Sequence, residues 1–322
     1  MFNRLFILLS TFLLILPATA GLQACSVCGC GDPLAATGSV HPLAGSFHLT
    51  VENVYLTASA LSDGNPTQSE SVRQVNLNTT LSYAPSDNLS LTVMLPLVEK
   101  YWSLSAGDAS PDTGTPFGIG DLMVGVRYFF LSETDLKAKQ HLGLAVSAGT
   151  YIPTGGTDFV SQITGDNLDT HSQLGTGAFG LYGGLLLNRV MDDFTLSANF
   201  NVIFRTTPGT TDATSPVYQY TFGNALTGGI QGQLHLSDFL AFSMAVEGRY
   251  ADPDRALNDD GDAIENVGST GGTVINATPG VWWNISGEST LYAKVQIPFY
   301  TNLNGTQQVD STYILGTQFL FH

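Results

Sequence analysis

Seven stretches of the chain repeat the same two-residue rhythm. In Gln74–Tyr83 the residues Val75, Leu77, Thr79, Leu81 and Tyr83 alternate with Gln74, Asn76, Asn78, Thr80 and Ser82. The rhythm recurs in Leu89–Leu97, Asp121–Phe130, His141–Ser147, Phe194–Arg205, Leu240–Arg249 and Leu291–Tyr300. Successive side chains of a β-strand point to opposite faces, so each stretch reads as a strand with one apolar and one polar face. Leu, Val, Phe and Tyr make the apolar face; amides, hydroxyls and charges fall on the other. Repeated over so many segments, this fits a barrel with its apolar face to lipid and its polar face to a lumen. A soluble sandwich would also alternate, but with its charges outward and its turns at more even spacing.

The connections agree. Short ones are expected near 84–88, 132–139, 188–193, 236–238 and 285–289, and long ones near 61–69, 103–117, 154–172, 206–217, 251–270 and 302–309. They alternate as periplasmic turns and extracellular loops do. The short ones carry turn residues, such as Pro85-Ser-Asp-Asn88 and Ser286-Gly-Glu288. The last segment, Tyr313–Phe321, places Tyr313, Leu315, Phe319 and Phe321 on one face. Gly316-x-x-Phe319-x-Phe321 resembles the C-terminal assembly signal of bacterial outer-membrane proteins, although Ile314 stands where a polar residue is usual and His322 follows the final Phe. Further strands at 45–60, 173–187, 218–235 and 270–285 bring the total to about twelve, an even count with periplasmic termini. The fold expected is all-β, a transmembrane antiparallel up-and-down barrel.

The N-terminus reads as an export signal. Arg4 precedes the apolar run Leu5–Leu16, Pro17 breaks it, and Ala18-Thr19-Ala20 fits a signal-peptidase site. The expected organisation is a signal over 1–20, a cysteine-containing periplasmic segment or plug over 21–44, and the barrel over 45–322. No apolar run of about 18 residues follows the signal, so spanning helices are excluded. Charged residues are only 12% of the chain, against about 25% in soluble domains. Acids number 27 and bases 11. That balance argues against a nucleic-acid partner, because phosphate neutralisation needs Lys and Arg. The acid-rich loop Ala251–Asn266 does not match a calcium-binding EF-hand, since Ala256 and Val267 fall where ligands must be. It reads as a solvated acidic loop.

The stretch Gly118-Ile-Gly-Asp-Leu-Met-Val-Gly-Val-Arg-Tyr128, preceded by Leu95-Pro96 and followed by Tyr151-Ile-Pro-Thr-Gly155, resembles the outer-membrane family associated with the meta-pathway of phenol degradation. The resemblance spans most of residues 45–322. It implies a Gram-negative outer-membrane barrel that transports small compounds, hydrophobic or aromatic ones among them. Read from the residues alone, Gly118-x-Gly-Asp is a strand entrance after a long loop. It is not a phosphate loop, because no helix follows.

All three cysteines lie in Cys25-Ser-Val-Cys28-Gly-Cys30, just after the signal. Leu22-Gln23-Ala24-Cys25 resembles a lipobox, which would make Cys25 a lipid anchor. Two of the three would form a disulfide in the oxidising periplasm. Cys25, Cys28 and Cys30 would equally suit a soft metal, Cu(I) or Zn(II), with His41 or His48 completing the set. Covalent haem is disfavoured, because Gly29 stands where C-x-x-C-H needs His. The other three readings stay open.

Three functions follow. The first is a channel, in contact with outer-membrane lipid, for small solutes. Its selectivity is set by the lumen-parity charges Glu52, Asp121, Arg127, Arg205, Glu247, Arg249 and Lys294. The plainer role for each of these is an internal salt bridge that stiffens the barrel. The second is a scaffold whose cysteine cluster holds a metal or redox cofactor against a periplasmic partner. The third is an outer-membrane hydrolase, with His41, His48, His141, His171, His235 and His322 as candidate bases. No Gly-x-Ser-x-Gly elbow supports it.

Overall fold

The computed structural model describes residues 43–61, 68–106, 111–135, 137, 139–210, 214–257 and 263–321. The signal segment, Cys25, Cys28, Cys30, His41 and His322 lie outside them. Twelve long strands cross the molecule: β1 Phe47–Leu61, β2 Gln68–Ser86, β3 Leu89–Ala106, β4 Leu122–Asp135, β5 Gln140–Ile152 and β6 Gly180–Met191, then β7 Phe194–Arg205, β8 Ala225–Ser237, β9 Leu240–Ala251, β10 Gly272–Ser286, β11 Ser289–Leu303 and β12 Thr312–Phe321. Each pairs antiparallel with its sequence neighbour, and β12 returns to pair with β1, from Phe47 opposite Phe321 to Tyr55 opposite Tyr313. The closed sheet leaves no long edge unpaired, which lipid requires of a spanning sheet.

The alternation sets the two faces as the sequence predicts. Leu77, Leu81, Leu91, Leu95, Leu185 and Phe200 are exposed on the outer wall, while Asn76, Asn78, Thr80, Thr92, Arg127 and Asn201 are buried on the inner one. Aromatic residues gather outward at both rims. Tyr101, Phe204, Tyr250 and Phe299 stand near the loop ends of their strands, and Phe47, Tyr83, Trp283 and Phe321 near the turn ends. Such girdles mark the two membrane–water interfaces. Two-residue turns follow β2, β6, β8 and β10, and Asp192 in one of them takes a positive φ of 46°. This is the backbone that a tight hairpin demands and that Asp tolerates.

Across β12, one side chain ties β11 to β1 on the inner wall. Tyr292 on β11 lies across Gly316 on β12, donates its hydroxyl to Glu52 Oε1 on β1 at 2.6 Å, and stacks on Trp282 at 4.4 Å. A Cβ at position 316 would collide with the Tyr292 ring. The terminal motif's glycine therefore leaves the room that the Tyr292 ring occupies.

Two expected strands begin later than the sequence suggests. Residues 173–179 precede β6 and 218–224 precede β8, and both stretches belong to loops. Residues 218–224 alternate apolar with polar and 173–179 are rich in Gly and small residues, but specific bonds to the lumen wall and to one another hold both away from the sheet.

Candidate functional site

β2 and β3 run for 19 and 18 residues, well beyond the ~9–11 that cross a bilayer. Their loop-side ends make a wall at the barrel mouth, and loop 153–179 folds against its inner side. Leu168, only 1% exposed, packs with Ala60, Val72 and Trp102, and Phe159 closes over them. Burying Leu168 contributes roughly 1.5–3 kcal/mol to holding the loop down.

Polar anchors on the lumen wall complete the attachment. Lys100 on β3 donates from Nζ to the carbonyls of His171 at 2.7 Å and Gln173 at 2.6 Å. Asp121, just before β4, accepts from the backbone N–H of Gly155 at 3.1 Å, the N–H of Thr176 at 2.9 Å and the Thr176 hydroxyl at 2.7 Å. Gln173 ties the loop internally: it accepts from the Phe159 N–H and donates to the Phe159 and Leu168 carbonyls. Asp112, in the loop after β3, accepts from the hydroxyls of Ser161 and Thr164.

Loops 206–224 and 252–271 join at one cluster. His171 Nε2 lies 2.9 Å from Asp254 Oδ2 and 2.7 Å from the Tyr220 hydroxyl, and Tyr220 donates to Asp254 at 2.7 Å. Asp254 also accepts from the Gly223 N–H at 2.6 Å. The His171, Tyr220 and Phe222 rings meet edge to face at 5.2–5.7 Å. Burial alone would lower the His171 pKa. The hydrogen bond to Asp254 and the negative charges of Asp254, Asp169 and Glu70 outweigh it and raise it to about 9. Burial opposes charge on Asp254 as well, but the bond and charge of His171 hold its carboxyl below the usual range, with help from Gly223 and Tyr220. Burial and the neighbouring carboxylates push the Tyr220 phenol upward. The latch at neutral pH is therefore an imidazolium on a carboxylate, with Tyr220 as a neutral donor.

Beneath the latch lies a lumen cavity of ≈ 160 Å³. Leu56, Val72, Met94, Pro96 and Val98 of β1–β3 form one side. The charged lining is Lys100, Asp121, His171, Arg205, Arg249 and Asp254. The Arg205 guanidinium stands 5.8 Å from the centroids of both Tyr151 and Phe222.

Of the seven lumen charges read from the sequence, the structure brings Asp121, Arg205 and Arg249 to this cavity. Glu52, Arg127, Glu247 and Lys294 lie elsewhere on the inner wall. Internal salt bridges do not account for Arg205 and Lys294: among the described residues neither has a carboxylate at ion-pair distance. Lys294 stands over the Tyr292 and Trp282 rings at 4.8 and 5.1 Å. Glu247 accepts from the Thr278 hydroxyl at 2.5 Å and the Gln296 amide at 3.0 Å. Aromatic faces and neutral donors thus take the place of opposite charge. Within the loop read as solvated and acidic, Asp254 departs from that reading: it is 3% exposed and bonded to Tyr220 and Gly223. Sequence reasoning missed Lys100, Tyr151, Tyr220 and Phe222. Lys100 was within reach: it continues the inner parity of β3 past Leu97.

The family described as the MetA-pathway of phenol degradation matches residues 57–307. No curated protein sequence matches the chain. Among solved structures, an outer-membrane channel from Pseudomonas putida F1 is similar with a TM-score of 0.60 at 14% identity, over 91% of this chain and 99% of that one. The translocator domain of the autotransporter NalP from Neisseria meningitidis gives 0.43 at 13%, over 87% and 90%. The CymD monoaromatic hydrocarbon channel gives 0.41 at 11%, over 91% and 92%. The first of these shares the barrel fold, and the family match spans most of the strands that form it. This outer-membrane barrel belongs to the family described as the MetA-pathway of phenol degradation.

Proposed function

We propose that the protein is an outer-membrane channel for small solutes, compounds with hydrophobic or aromatic bodies among them. The observation that carries this reading is the cavity at the mouth, walled by apolar side chains of β1–β3 on one side and by charged and aromatic groups on the other. A lumen built only to be filled would not keep such a space. A closed barrel supplies the path across the bilayer, and three loops drawn over the mouth set the size of what enters. The barrel from Pseudomonas putida F1 that shares this fold is itself described as an outer-membrane channel.

His171 is not arranged as a hydrolase base. Its carboxylate partner is Asp254, and its Nε2 is occupied by Asp254 and Tyr220. No serine, threonine or cysteine hydroxyl or thiol meets its Nδ1 among the described residues. A nucleophile would have to stand there for a hydrolase.

Swelling of liposomes that carry the purified protein tests the proposal. Small sugars and amino acids should enter and trisaccharides should be excluded. Swelling no faster than that of protein-free liposomes with every solute would overturn it.

A further inference from the structure

We propose that the mouth cavity binds small organic anions that carry an apolar ring or short alkyl body, with the Arg205 guanidinium taking the anionic head. The proposal rests on the channel reading and narrows its solute class. Arg205 sits at the loop end of β7, with its backbone N–H fixed by Asn224 Oδ1 at 3.0 Å. Tyr151 and Phe222 each stand 5.8 Å from its guanidinium carbon. Cation–π contacts of this kind hold a guanidinium in place without using its N–H donors. Among the described residues no side-chain acceptor meets those donors. A planar fork of N–H groups oriented by aromatic neighbours matches a carboxylate bidentately.

The acids of the cavity do not compete for it. Asp121 is engaged by three donors from Gly155 and Thr176. Asp254 is engaged by His171, Tyr220 and Gly223. The lining holds Lys100, Arg205 and Arg249 against those two carboxylates, and His171 adds a further positive charge when protonated. A cationic recess in a chain of formal charge −16 concentrates anions that the rest of the surface repels. Leu56, Val72, Met94, Pro96 and Val98 offer the complementary apolar wall. The ≈ 160 Å³ of the cavity is the size that accommodates one benzene-like ring.

Titration calorimetry on the full-length, detergent-solubilised barrel tests this, with benzoate as the ligand at neutral pH. Acetate supplies the head without the body, and benzyl alcohol the body without the charge. Benzoate should bind saturably, and each control should bind at least about tenfold more weakly, a difference of ~1.4 kcal/mol. Arg205→Gln should weaken benzoate by about tenfold or more, and Arg205→Lys should restore part of it. A heat-sensitive shift in gel mobility confirms that each variant is a folded barrel. The proposal is overturned by absent benzoate binding in the wild type, by equal binding of benzyl alcohol, or by an Arg205→Gln barrel that binds as the wild type does. Benzoate binding without liposome swelling would refute the channel and leave the site. Swelling without benzoate binding would do the reverse.

Discussion

Gly316 illustrates how a single missing side chain shapes a barrel. Tyr292 can reach Glu52 only because β12 presents no Cβ between them. Gly316→Ala should destabilise the folded barrel by roughly 1–3 kcal/mol through overpacking, read as a lower temperature for the heat-induced mobility shift. Gly287→Ala, in a turn where an added Cβ meets nothing within 4 Å, should stay within about 0.5 kcal/mol of the wild type. Equal effects from the two substitutions would refute the packing argument. His171 gives a second prediction at this scale. It faces Asp254 and Tyr220 directly, with Asp169 and Glu70 contributing charge. Its folded pKa, about 9, lies above the ordinary histidine value of about 6.5. Its contribution is therefore full below pH ~6.5 and is lost as pH rises towards 9. Amide hydrogen exchange in loop 153–179, corrected for the intrinsic pH dependence, should accelerate over that window. In His171→Asn the acceleration should be absent.

At the scale of elements, strands and loops obey different determinants. A lipid-facing strand is specified by period-two alternation, which any local window of sequence displays. Arg placed on that face should therefore be poorly tolerated. Leu185→Arg, at a position 56% exposed on the outer wall of β6, should cost roughly 2–4 kcal/mol near the bilayer midplane. Unfolding from lipid vesicles in denaturant measures it, and a cost below 1 kcal/mol would place Leu185 away from the hydrocarbon. The loops are specified by contacts far apart in sequence. Residues 218–224 alternate well enough to read as a strand start, yet Asp254 captures Tyr220, and Asp121 likewise captures Thr176 within 173–179. No local rule reveals such capture. This is why the strand count, the turns and the parity of Asp121, Arg205 and Arg249 were legible from the chain. The latch was not: His171 read as an isolated candidate base and Asp254 as one more solvated acid. The stacking of Arg205 and Lys294 on aromatic rings was equally hidden, because it depends on which strands lie side by side around the barrel.

For the whole molecule, the proposed channel takes its path from the closed sheet and its width from the folded loops. Lys100 and Asp121 are charged wall residues that help to hold loop 153–179 across the mouth. Leu168 is buried behind them. Removing both charged residues should loosen the loop while leaving all twelve strands intact. Single-channel recording in planar bilayers, comparing the wild type with Lys100→Met/Asp121→Ala, tests this most directly. Discrete, low-conductance steps are expected for the wild type and severalfold larger, noisier steps for the double variant. A wild-type barrel that carries no current, or a double variant whose steps match the wild type's, would contradict it.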